Sequence, residues 1–188
     1  MPPKAKFTKE MIAGEALSLV REQGMEALTA RNLAQRLGCS AKPIFGLYES
    51  MAQLKTEVIA RAEQCMAEFT SRMVQSGEYP PYKASGMAYI RFAREEKELF
   101  RLLFMRDRSG EKITDGAELE EIVKQLVKSL KISEEKARMF HLEMWIYVHG
   151  IAVMLATSYL EWQEDFISNA LTDAYFGLKY RYCGESET

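Results

Sequence analysis

The chain has 188 residues, 47% hydrophobic and 28% charged, with a formal net charge of −2. That length buries one sizeable core, or a small domain beside a larger one. Residues 1–48 hold seven Lys/Arg (Lys4, Lys6, Lys9, Arg21, Arg31, Arg36, Lys42) against four Glu, so a mildly basic head precedes an acidic remainder. Cys39, Cys65 and Cys183 are scattered, with no CxxC spacing and no adjacent His, and suggest neither a disulfide framework nor a zinc site. The opening MPPKAKFTKE has no apolar signal core. The most apolar run, Met144 to Leu160, is interrupted by His149 and Gly150 and is marginal in length for a bilayer. A cytoplasmic location and no membrane partner are therefore expected.

The first predicted helix starts at Thr8 and ends near Gln23, with Gly24 as its stop and Ile12, Ala16, Leu19 and Val20 as its inner face. The second covers roughly Ala30 to Leu37, capped by the Thr29 hydroxyl, with Leu33, Ala34 and Leu37 on one face. Ala34 is small where a partner helix must cross closely, and Gly38 supplies left-handed backbone to end the helix. Ser40 can cap the third helix, whose first turn tolerates Pro43. Ile44 is placed to plug the angle between the two helices. Ala41, Lys42, Phe45 and Gly46 are then left facing outward, a set of small residues, one cation and one aromatic that suits close approach to a DNA groove. Leu28, Leu33, Leu37, Ile44 and Tyr48 would close a three-helix core, leaving Lys4, Lys6 and Lys9 to reach a phosphate backbone. The motif by itself also fits a helical hairpin inside some all-α core.

From Ser50 a long helical pattern runs to about Ser76, through Leu54, Val58, Ile59, Ala62, Met66, Phe69 and Met73, and Gly77 to Pro81 break it. Further helical patterns cover Tyr82 to Glu96 and Leu99 to Met105, followed by a break at Arg106 to Gly110. Thr114 or Asp115 can cap a helix through Leu130, and Ser133 opens another to about Tyr159. That helix carries one stripe of Ala137, Phe140, Met144, Val148, Ala152 and Leu155 and a second of Leu142, Ile146 and Val153. It is apolar on two faces, one for its own domain and one for a second copy of the chain. A last helix, Trp162 to Tyr182 with Phe166, Ala170, Ala174 and Leu178, would complete a dimer bundle. No strand-like alternation occurs, and the fold class is all-α.

No nucleophile–base pair, metal cluster or phosphate-binding loop is present in the pattern. His141 and His149 are two helical turns apart, and neither has a Glu three residues before it. No enzyme activity, cofactor or metal is expected. Trp145-x-x-x-His149-Gly150 sets an indole and an imidazole one turn apart beside a gap left by glycine, which reads as a hydrogen-bonded core histidine with Gly150 permitting close helix crossing, or as a polar point in an apolar small-molecule site. Phe92, Phe100, Leu103, Phe104, Trp145 and Tyr147 are the further lining candidates, each more readily read as plain core than as a ligand contact.

The segment Phe7 to Ile59, through Gly24, Leu28-Thr29, Leu33-Ala34, Leu37-Gly38-Cys39-Ser40, an aromatic pair and Leu54, resembles the N-terminal domain of the tetracycline-repressor (TetR) family. The Trp…His-Gly segment resembles a signature of one subgroup's C-terminal domain. The resemblance implies a helix-turn-helix DNA-binding domain over residues 1–49 and a larger helical ligand-binding and dimerisation domain over 50–188, with 50–76 as the linking helix. It implies a homodimeric repressor that binds a double-stranded, pseudo-palindromic operator and is released when a small-molecule effector shifts that helix. Thr29 and Ser40 match positions that touch phosphate, and Lys42, Pro43 and Gly46 match positions that meet bases or backbone. With Arg31, Ala41, Phe45 and Tyr48 they complete the expected DNA-contact set. Phe45 stands where the family usually has a phosphate-binding tyrosine, Tyr48 is its next aromatic, and Met51 stands for a lysine, so two phosphate contacts are missing. The alternative is a helical small-molecule-binding or interaction protein that has lost specific DNA binding.

Overall fold

The computed structural model describes residues 7–107, 109 and 116–184. Lys4, Lys6 and the capping candidates Thr114 and Asp115 lie outside the described residues. Among the described residues the chain forms nine α-helices and one 3-10 turn, with no strand. It divides into two compact units, Met1–Ser71 with Phe92–Arg106, and Arg72–Arg91 with Asp107–Thr188.

The first unit begins with α1 (Lys9–Gln23). The Thr8 side chain accepts from Met11 N–H, and the helix stops at Gly24, whose φ of 79° is open to glycine and strained for other residues. Ile12, Ala13, Ala16, Leu19 and Val20 form its buried face. A 3-10 turn (Met25–Ala27) leads to α2 (Ala30–Arg36), where Thr29 Oγ1 accepts from Asn32 N–H at 3.1 Å. Gly38 takes φ +64° and turns the chain into α3 (Lys42–Phe45). Next, α4 (Met51–Ser76) opens with a reciprocal cap: Gln53 N–H donates to Ser50 Oγ, and Gln53 Oε1 accepts from Glu49 N–H. Leu54, Val58 and Ala62 from α4 are fully buried. Phe92 and Ala93 from α5 (Pro81–Glu95) and Leu99, Phe100, Leu102 and Leu103 from α6 (Lys97–Phe104) join this core. The Phe69 and Phe92 rings meet edge to face at 5.7 Å. Glu96 accepts from Arg21 at 2.8 Å, fixing the start of α6 on α1.

In the second unit, α7 (Ala117–Leu130) ends on Lys131 in left-handed backbone, and Ser133 caps α8 (Glu134–Ala156) by accepting from Lys136 N–H. Gly116 occupies the N-cap of α7 and makes no side-chain cap bond. The stripe Ala137, Phe140, Met144, Val148, Ala152 and Leu155 is buried as expected, and Val123, Leu126 and Leu130 of α7 pack on its first half. By length and composition α8 is long and apolar enough to cross a membrane; here this stripe lies in the core of the second unit. Its other stripe is only partly covered: Leu142 is 45% and Ile146 57% exposed, and Val153 is half-buried. The last helix, α9 (Glu164–Cys183), buries Ile167 and Leu171, with Ala174 and Leu178 half-buried. Phe166, named with Ala170, Ala174 and Leu178 for a dimer bundle, is 55% exposed.

Candidate nucleic-acid interface

The reader is built around Ile44. This residue is completely buried, as are Leu33 and, nearly so, Ala34 at 6%, so α2 and α3 close on it as their spacing implies. Burying Ile44 turns the remaining side chains of α3 outward: Lys42 and Gly46 are exposed, Ala41 and Pro43 half-exposed, and Phe45 51% exposed. Thr29, Arg31 and Ser40 are also exposed. Among the described residues neither Arg31 nor Lys42 makes an ion pair. The structure therefore brings eight of the nine expected DNA-contact residues to the surface of one two-helix motif.

Two expectations are corrected. Tyr48 is 2% exposed and part of the core. Its hydroxyl donates to Glu57 Oε2 at 2.9 Å and to the Lys9 carbonyl at 3.3 Å, and burial with that carboxylate pushes its pKa up to about 12, so it is no groove contact. Ser40 does not cap α3. The N-cap is Ala41, without a side-chain bond, and the Ala41 carbonyl accepts from both Ile44 and Phe45 N–H. Proline explains the difference. With Ser40 at the N-cap, the third helical position would be Pro43, which has no N–H to donate.

The electrostatics of the head were not legible from charge counts. Arg36 is spent inside it, donating to Glu15 at 2.9 Å, to both oxygens of Glu22 at 2.7 Å and to Ser18 at 2.9 Å. That bonding holds the Glu22 carboxyl below its ordinary pKa and raises that of Arg36. Arg61 likewise pairs with Glu10 and Glu57, and Arg21 with Glu96. The spacing of Glu15, Ser18 and Glu22 on one side of the first helix was the available signal for the Arg36 contacts. The described head cations without an ion pair are Lys9, which sits 5.3 Å from the Tyr48 ring centroid, Arg31 and Lys42.

The expected small-molecule contacts fall into two groups. Phe92, Phe100 and Leu103 belong to the core of the first unit, Phe92 and Phe100 buried to 1% or less, and Phe104 is half-buried in the same unit. Trp145, Tyr147 and His149 belong to the second unit. Trp145 is 43% and Tyr147 42% exposed, and two residues of helical advance put them on opposite sides of α8, so they do not line one hollow. Trp145 stacks on His149 with ring centroids 5.0 Å apart and planes 9° apart. Tyr89 Oη lies 2.9 Å from His149 Nδ1, and burial lowers the imidazole pKa. A second Tyr–His pair, Tyr82 with His141 at 3.1 Å, repeats the contact two turns back along both helices. Two grooves, of about 340 and 230 Å³, are lined by Leu19, Gln23, Asn32, Gln35 and Arg36 and by residues of α7 with Glu134, and contain none of these candidates.

Residues 82–174 match a family described as tetracyclin repressor-like, C-terminal domain. The match spans most of α5 through the middle of α9, including both Tyr–His pairs and the Trp145–His149–Gly150 segment. No curated protein matches the chain. With this C-terminal domain in an all-α chain, the protein is a regulator belonging to the tetracycline-repressor family.

Proposed function

We propose that the protein is a homodimeric transcription repressor that binds a pseudo-palindromic operator through residues 1–49 and is released by a small molecule held in residues 50–188. The observation that carries this reading is the outward face of α3. Lys42, Phe45 and Gly46 are exposed, as is Arg31 on α2, while Ile44 and Tyr48 are buried beneath. A side of small, apolar and cationic residues left uncovered by the protein is a surface shaped for a groove. Dimerisation is supported by the second face of α8. Met139, Leu142 and Ile146 recur at helical spacing with Val153, and a Cβ added at Gly150 would meet nothing within 4 Å. On α9, Phe166, Phe176 and Tyr180 are 55%, 57% and 82% exposed. Such a contiguous apolar face on a protomer marks a protein interface.

The effector is assigned to the C-terminal domain through the Trp145–His149 stack, which offers an aromatic plane beside a polar nitrogen. The test of the regulator reading is selection of duplexes from a random-sequence pool by the full chain, followed by competition with scrambled duplex. Enrichment of an inverted repeat, weakened by Lys42→Ala, is the expected result. Equal affinity for selected and scrambled duplexes, unchanged by Lys42→Ala, would favour a helical binding protein without specific DNA recognition.

A further inference from the structure

Sequence is read in the major groove either by hydrogen bonds to base edges or by apolar contact with the C5-methyl group of thymine. Residues 40–47, Ser-Ala-Lys-Pro-Ile-Phe-Gly-Leu, contain no Arg, Asn or Gln, the side chains that most readily form two-point hydrogen bonds with purines. The polar readers there are the Lys42 ammonium and the Ser40 hydroxyl. On α2, Asn32 spends its amide on the Ala27 carbonyl at 2.9 Å. Against this sparse polar set stands one large apolar group, the Phe45 ring, half exposed at the end of α3, without a hydroxyl and next to the bare backbone of Gly46. An aromatic ring held in water by a rigid motif gains by covering a methyl group, and it cannot bond a phosphate as a tyrosine would.

We propose that Phe45 is a specificity-determining residue that reads thymine, packing its ring on the C5-methyl group of one thymine in each half-site. This rests on the DNA-binding reading above and deepens it. Discrimination at that base pair is apolar, and Lys42 supplies the neighbouring polar contact.

The test uses the duplex that the full chain selects from a random pool, remade with deoxyuridine in place of thymidine, one position at a time and symmetrically in both half-sites. Uracil keeps the O4 acceptor and the pairing and removes only the methyl. At one symmetric position the wild type should bind about fourfold more weakly per half-site, the worth of one buried methyl. Phe45→Ala should lose affinity for the thymine duplex and no longer distinguish it from the uracil duplex, while Phe45→Tyr should retain the distinction. As Phe45 is half exposed, these variants should melt as the wild type does. Uracil duplexes bound as tightly as thymine ones would overturn the thymine reading and leave the regulator standing. A uracil penalty equal in wild type and Phe45→Ala would assign the methyl to another residue and overturn the role of Phe45. If no sequence is enriched, the regulator reading itself fails and this inference with it.

Discussion

Phe45 and Tyr48 lie one helical turn apart and meet opposite fates, and the difference is set by what each ring can reach. The Tyr48 hydroxyl finds a carboxylate and a carbonyl inside the head, so its ring is buried. Tyr48→Phe should cost about 1 kcal/mol in urea unfolding, the net worth of a partly buried hydrogen bond, while Lys42→Ala should leave stability unchanged and weaken DNA binding. His149 gives a pH dependence whose sign follows from its lowered pKa. Between the folded value and the ordinary 6.5, the unfolded chain binds the proton that the folded chain does not, so stability falls as pH drops below about 6.5. Unfolding midpoints of wild type and His149→Gln should therefore converge as acidity increases. Equal pH slopes in the two proteins would contradict burial as the cause of the shift.

At the scale of elements, two serines separate capping from contact. Ser50 caps α4 and Ser40 caps nothing. Ser50→Ala should cost about 1 kcal/mol, whereas Ser40→Ala should leave the unfolding midpoint in place, so any DNA affinity it loses reports a phosphate contact. The helices were legible in the sequence because apolar period and stop signals agreed: Thr8, Gly24, Thr29, Gly38, Gly77 and Ser133 all act where expected. Two features were not expected from the sequence. The missing Ser40 cap follows from Pro43, whose lack of an N–H could have been weighed. Arg36 counts as a surface charge in any sum over the sequence. Its neutralisation by Glu15 and Glu22 is a tertiary event spanning 21 and 14 residues. Of the site itself, the outward face of α3 was readable from Ile44 alone. The aromatic residues expected around an effector were not separable from core, because periodicity treats both alike.

For the whole molecule, the proposed dimer joins two roles: the uncovered faces of α8 and α9 would meet a second copy, and the uncovered face of α3 would be presented twice. One motif with few cations grips DNA weakly, and a two-fold copy doubles the contacts and sets half-sites about one turn, roughly 34 Å, apart. Ile146 is exposed, so Ile146→Arg should fold and sediment as a monomer while losing operator binding. A monomeric wild type would remove the dimer from the account. With Lys9, Arg31 and Lys42 as the described head cations without ion pairs, a dimer brings about six cations to the DNA and should show a log–log salt slope of about −5.

The most direct measurement is the affinity of the full chain for its selected duplex and for a scrambled duplex of equal length, across a salt series. A preference of about 10³ or more for the selected duplex is expected at physiological salt, with a slope made shallower by about two units in dimeric Lys42→Ala. Equal affinities at every salt concentration, with Lys42→Ala indistinguishable from wild type, would contradict the assignment of α3 as the reader of an operator.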